Sequence, residues 1–130
     1  MSYRKTILVV EDDEQIREQL ALILGDEYEV ITAKDGVEAI VCFKHDAERV
    51  ALVLTDCEMP VLNGIQLTVR LWRQNPELPV VMMTGGMERL DFRGLLEMSN
   101  FALLWKPFDA YRLKELIESM TERAGALAVG

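Results

Sequence analysis

Thr6-Ile7-Leu8-Val9-Val10 runs directly into Glu11-Asp12-Asp13-Glu14, and this junction decides the fold. An unbroken apolar, β-branched run of this length is what a strand buried on both faces looks like. It stops at acids, and from there Ile16, Leu20, Ile23 and Leu24 recur at helical spacing, with Gly25 as a stop. One of Asp13 and Glu14 suits the helix N-cap, where a carboxylate accepts from free backbone N–H groups.

The same alternation continues outward. Tyr28 to Ala33 predicts a second strand, Asp35-Gly36 a turn, and Val37, Ile40 and Val41 a second amphipathic helix. Val50 to Thr55 is another apolar run, closed by Asp56. A loop with Met59-Pro60 and Asn63-Gly64 follows, then helical spacing at Ile65, Val69 and Trp72. Pro79 opens a fourth strand, Val80 to Thr84, ending at Gly85-Gly86. A weaker helix is expected over roughly Glu88 to Met98, then a fifth strand from Phe101 to Trp105. Asp109 suits the N-cap of a last helix with Leu113, Leu116, Ile117 and Met120 on one face. Five strands alternating with five helices imply an α/β fold, a parallel sheet covered on both sides. Residues 4–123 form one expected domain, and the unpatterned stretch 124–130 a tail or the start of a linker.

Composition narrows the function. The 130 residues are half hydrophobic and carry a formal net charge of −8, which speaks against phosphate-backbone binding by clustered Lys and Arg. No apolar run has membrane-spanning length, no signal-peptide pattern opens the chain, and two cysteines, Cys42 and Cys57, make no disulfide framework. A cytoplasmic protein is the expectation.

In such a sheet the ligand site lies beyond the carboxyl ends of the strands. Glu11, Asp12, Asp56, Thr84 and Lys106 all fall at that edge. Taken singly, each has an ordinary explanation as a cap, a turn former or a solvated charge. Together they describe a site. Three carboxylates repel, a hard divalent cation relieves the repulsion, and oxygen ligands with room for water suit Mg²⁺. A carboxylate can act as nucleophile towards phosphorus, Lys106 supplies positive charge, and the Thr84 hydroxyl can hydrogen-bond a phosphoryl oxygen.

At these residues the sequence resembles the receiver domain of bacterial two-component response regulators. The matching segments are Ile7 to Asp12 with Ile16-Arg17, Leu52 to Asp56 with Met59-Pro60 and Asn63-Gly64, Pro79 to Thr84, and Lys106-Pro107-Phe108. The resemblance implies a flavodoxin-like, doubly wound sheet of order 2-1-3-4-5. It implies Asp56 as phosphoacceptor, with Glu11, Asp12, Asp56 and the Glu58 backbone carbonyl as Mg²⁺ ligands. Thr84 becomes the switch hydroxyl and Lys106 the phosphate-binding lysine. The implied donor is a phosphohistidine on a sensor kinase or phosphotransfer protein, and the implied output an unnamed domain or partner. The domain would be a switch that catalyses only its own phosphorylation and dephosphorylation, as a monomer or weak dimer. Four positions depart from the family pattern: Glu11 where Asp is common, Gly85-Gly86 after Thr84, Ser99-Asn100 before the fifth strand, and Leu103 in place of an aromatic switch. Phe101 and Trp105 are expected in the core first and on a partner face second.

Rival readings are weaker. A receiver-like binding module working without phosphorylation is the main alternative. An aspartyl phosphohydrolase of the haloacid-dehalogenase type would want a second Asp at position 58, which is Glu58. No Gly-rich phosphate loop is present, and the single histidine, His45, is expected as a solvated residue near the end of the second helix.

Overall fold

The computed structural model describes residues 4–86 and 91–129. Strands β1 (Thr6–Val10), β2 (Glu29–Ala33), β3 (Val50–Asp56), β4 (Val80–Thr84) and β5 (Phe101–Trp105) form one parallel sheet of order β2-β1-β3-β4-β5. Helices α1 (Glu14–Leu24), α2 (Gly36–Asp46), α3 (Gly64–Gln74) and α4 (Arg93–Leu96) make the crossovers, and α5 (Ala110–Val129) follows β5. The alternating pattern predicted a parallel sheet covered on both sides, and the observed order is the doubly wound, flavodoxin-like one that the receiver resemblance implied. The β1, β3 and β4 side chains are buried almost throughout, which is why those strands read as continuous apolar runs.

Two cores sandwich the sheet. Leu8, Val10, Val53, Val80, Met82 and Phe101 face α2, α3 and α4, meeting Ala39, Phe43, Leu67, Leu71, Phe92 and Leu95. On the other face Ile7, Val9, Leu52, Leu54, Val81 and Leu104 meet Leu20 and Leu24 of α1 and Leu113, Ile117 and Met120 of α5.

Several expectations about helix faces need correction. Val37 and Val41 are about half exposed, and α2 instead buries Gly36, Ala39 and Phe43. Small residues there let the helix approach closely: a Cβ on Gly36 would lie 2.8 Å from the Leu62 side chain. In α3 the buried residues are Gly64, Leu67, Thr68 and Leu71, with Ile65 and Trp72 half-buried and Val69 exposed. Ile16 sits at the exposed rim of α1. Phe101 is core, packed edge-to-face against Trp72 at 6.3 Å, but Trp105 is 50% exposed at the open end of β5. The weak helix expected over Glu88 to Met98 is a short α4. Part of that span, residues 88–90, lies outside the described residues. The stretch from Ala124 is helical through Val129, consistent with the high helix propensity of its alanines.

Candidate functional site

Each acid reaches the carboxyl edge through a locally fixed turn. The Asp13 side chain caps α1, accepting from the Gln15 and Ile16 amides, and its backbone N–H donates to Glu11 Oε1 at 3.2 Å. Glu11 N–H donates to the Ala33 carbonyl, so the end of β1 stays tied to β2. Asp56 ends β3, and its carboxylate Oδ1 accepts from the Cys57 amide at 2.9 Å and from Lys106 Nζ at 3.0 Å. Lys106 arrives from β5, its amide donating to the Thr84 carbonyl at 2.7 Å.

The loop after Asp56 depends on Gly64, a residue read from sequence only as part of a turn. A Cβ there would stand 2.4 Å from the Asp56 carbonyl oxygen, so the start of α3 can pass beneath the acceptor only without a side chain. Its amide donates to the Cys57 carbonyl at 2.8 Å. Asn63 and Gln66 close a reciprocal capping box at the same turn. That signal was present in the spacing Asn63-x-x-Gln66. Val61, in the same loop, has φ 71°, which a β-branched residue adopts only under strain.

Glu11, Asp12 and Asp56 offer carboxylate oxygens that all lie within 4.8 Å of one another. Glu11 is 2% exposed, and its Oε2 is buried with no hydrogen-bond partner. Burial, and next the charge of Asp56, push the Glu11 carboxyl up to about 7. Burial works against the Lys106 charge, yet its bond to Asp56 and the charges of Asp56, Glu11 and Asp12 outweigh this and raise its pKa. Burial, then Asp56 and Glu58, push the Cys57 thiol up to about 11, so it is an inert neighbour rather than a nucleophile. An orphaned buried carboxylate oxygen beside two further carboxylates is a donor set suited to a hard divalent cation.

Beside this cluster lies a cavity of about 400 Å³ lined by Asp56, Cys57, Glu58, Thr84, Gly85, Gly86 and Lys106. The sequence-predicted residues therefore converge: the three acids form one cluster, and Asp56 links it to the cavity with Thr84 and Lys106. Glu58 lines the cavity with an exposed side chain. The Thr84 hydroxyl donates to the Gly86 carbonyl at 2.7 Å and accepts from the Gly86 amide at 3.2 Å. A larger cleft of about 560 Å³ lies at the opposite, amino edge and contains none of these groups.

The response regulator receiver domain model matches residues 7–118. The chain belongs to this family. The receiver domain is 36% identical over 124 residues to the probable transcriptional regulator ycf27 of Porphyra purpurea, covering 93% of this chain and 49% of that protein. It is 33% identical over 121 residues to the alkaline phosphatase synthesis transcriptional regulatory protein PhoP of Bacillus subtilis, covering 92% and 50%. The chain thus spans about half the length of these curated relatives. Among solved structures, a response regulator receiver domain protein from Clostridium thermocellum superposes with a TM-score of 0.86 at 28% identity, covering 95% of this chain and 98% of that one. The response regulator TrrA of Thermotoga maritima, solved with Mg²⁺ and BeF, gives a TM-score of 0.75 at 30% identity, covering 89% and 98%. No helix among the described residues is long and apolar enough to cross a membrane.

Proposed function

We propose that this receiver domain is a phosphoacceptor switch in which Asp56 takes a phosphoryl group from a phosphohistidine donor. The observation that carries the reading is the Lys106–Asp56 contact of 3.0 Å beside a three-carboxylate cluster whose Glu11 Oε2 has no partner. Of the two Asp56 carboxylate oxygens, only Oδ1 accepts hydrogen bonds from the described residues, which leaves Oδ2 available as nucleophile. Oδ2 bonds to phosphorus as the phosphorus–nitrogen bond breaks, and the electron pair returns to the imidazole. Lys106 offsets charge on the phosphoryl oxygens. Mg²⁺, held by Glu11, Asp12, Asp56 and the Glu58 carbonyl, would neutralise phosphoryl charge and orient the group. The domain promotes only its own aspartyl phosphorylation and dephosphorylation.

The readout we infer runs through the loop after β4. A phosphoryl oxygen on Asp56 competes for the Thr84 hydroxyl, which in this structure serves Gly86. Transfer of that hydroxyl releases the Gly86 carbonyl and loosens the Gly85-Gly86 turn, shifting the β4–α4–β5 face. A Cβ on Gly85 would meet nothing within 4 Å, so the turn has room to move. Leu103 is half-buried against the core, which supports a readout that needs no aromatic at that position.

The proposed partners are a sensor histidine kinase or histidine phosphotransfer protein and an output domain or protein reading that face. The acidic domain is proposed not to bind nucleic acid itself, and the proposed compartment is the cytoplasm. Residues 4–123 are taken as the receiver unit and 124–130 as a tail or linker. Two measurements test the proposal. Mg²⁺ and a small phosphodonor should add one phosphoryl mass to wild type and none to Asp56→Ala. Beryllofluoride should move the amide resonances of Thr84, Gly85 and Gly86. No added mass would favour a binding module that works without phosphorylation, and unmoved resonances would sink the loop readout.

A further inference from the structure

Arg17 stands out because its helix position gives it no local reason to be there. It lies in the first turns of α1, near the positive end of the helix dipole, where a cation is disfavoured. Among the described residues its guanidinium makes no ion pair. Instead Nη1 donates to the Glu11 backbone carbonyl at 2.9 Å, while the Arg17 amide donates to the Asp13 carbonyl, also at 2.9 Å. Helical side chains lean back towards the N-terminus, which suits this reach. The amide bond is the ordinary first bond of the helix, so the hold particular to Arg17 is that of its side chain on the carbonyl just before the exposed Asp12.

We propose that Arg17 is a positioning residue that holds the Glu11–Asp12 turn in its metal-ready shape, an inference resting on the Mg²⁺-site reading above. The need follows from the cluster. Glu11 and Asp12 are drawn together with Asp56 although their charges repel, so an untethered turn relaxes by opening. Glu11 also carries one more rotatable bond than Asp. The Asp13 amide on Oε1 restrains that side-chain freedom, while Arg17 on the carbonyl and Ala33 on the amide fix the backbone it hangs from before any cation arrives. Groups that orient metal ligands from behind typically change metal affinity by about tenfold or more.

The sign of the effect separates this role from simple charge. Removing a cation near a metal site lessens repulsion and should tighten Mg²⁺ binding about twofold. Loss of a tether should weaken it. Calorimetric Mg²⁺ titration of the full chain is expected to give an affinity about tenfold lower for Arg17→Met than for wild type. Arg17→Lys keeps the charge and can donate one bond from a shorter side chain, and should fall between them. Without metal, amide exchange at Asp12 and Asp13 should speed up in Arg17→Met. At saturating Mg²⁺ the phosphodonor labelling rate should return to within about twofold of wild type, because Arg17 touches neither phosphoryl group nor metal. Binding in Arg17→Met as tight as wild type, or tighter, would overturn the assignment. Should that variant not fold, Arg17→Gln, uncharged and too short to keep the bond, decides: weakening supports the tether and unchanged affinity refutes it. A wild-type chain that binds no Mg²⁺ would instead refute the site reading, and this inference with it.

Discussion

Glu11→Gln is the sharpest perturbation of the acid cluster. Glu11 is almost fully buried, one oxygen has no partner, and its pKa is raised from 4.5 to about 7 by burial and then by Asp56. A carboxyl that ionises less readily in the folded state stabilises the fold fully below the unfolded value of 4.5. That contribution is lost as pH rises through about 7. Above both values the ionised group therefore costs on the order of 3 kcal/mol relative to a neutral isostere. For a domain of this size each kcal/mol moves the melting temperature by roughly 3–4 °C. The metal-free Gln variant should melt roughly 10 °C higher than wild type at pH 8, by thermal circular dichroism in EDTA, with the gap closing towards pH 5. Millimolar Mg²⁺ should raise wild type and narrow the gap, because the variant has lost a ligand. A gap that is absent at pH 8, or equal at pH 5 and pH 8, would refute the claim that burial of an ionised Glu11 is the source of the strain.

Asp56→Asn and Asp12→Asn should also raise the metal-free melting temperature at neutral pH, since each removes a charge from the same cluster. Neither should raise it if the carboxylates do not repel. Val61 is 90% exposed with φ 71°, so Val61→Gly sheds strain without losing packing and should stabilise by about 1 kcal/mol in urea unfolding. A loss of stability would mean the backbone there is not strained. Gly64→Ala should destabilise by about 1–3 kcal/mol and slow labelling at Asp56, because its methyl meets the acceptor's own carbonyl. Unchanged stability together with unchanged labelling would show that the close approach is dispensable.

The five strands and the gathering of Glu11, Asp56, Thr84 and Lys106 at one edge were legible because buried parallel strands leave long apolar runs that end in polar residues, whereas the strand order followed only from the family resemblance. Helix faces were harder to read. In α2, Val37 and Val41 look like a core stripe, yet Ala39 and Phe43 are the residues that pack, and only the position of the sheet reveals it. Trp105 reads as core by its size, but β5 ends there at the open edge of the site. What Gly64 does was hidden for another reason. Asn63-Gly64 is a common turn signal, whereas the demand on Gly64 is clearance from a carbonyl eight residues earlier in the chain, ~2.4 Å from where a Cβ would be. The Asn63–Gln66 capping box was readable by spacing alone. The Thr84–Gly86 bond and the reach of Arg17 to Glu11 depend on side-chain directions that no periodicity encodes.

The central claim concerns where the phosphoryl group goes. After treatment with Mg²⁺ and a small phosphodonor, borohydride reduction converts an aspartyl phosphate to homoserine, which peptide mass spectrometry can place in the chain. Homoserine at position 56 alone, lost when EDTA replaces Mg²⁺, is the predicted result. Homoserine at another carboxylate, or none at position 56 under conditions where Mg²⁺ is bound, would contradict the account.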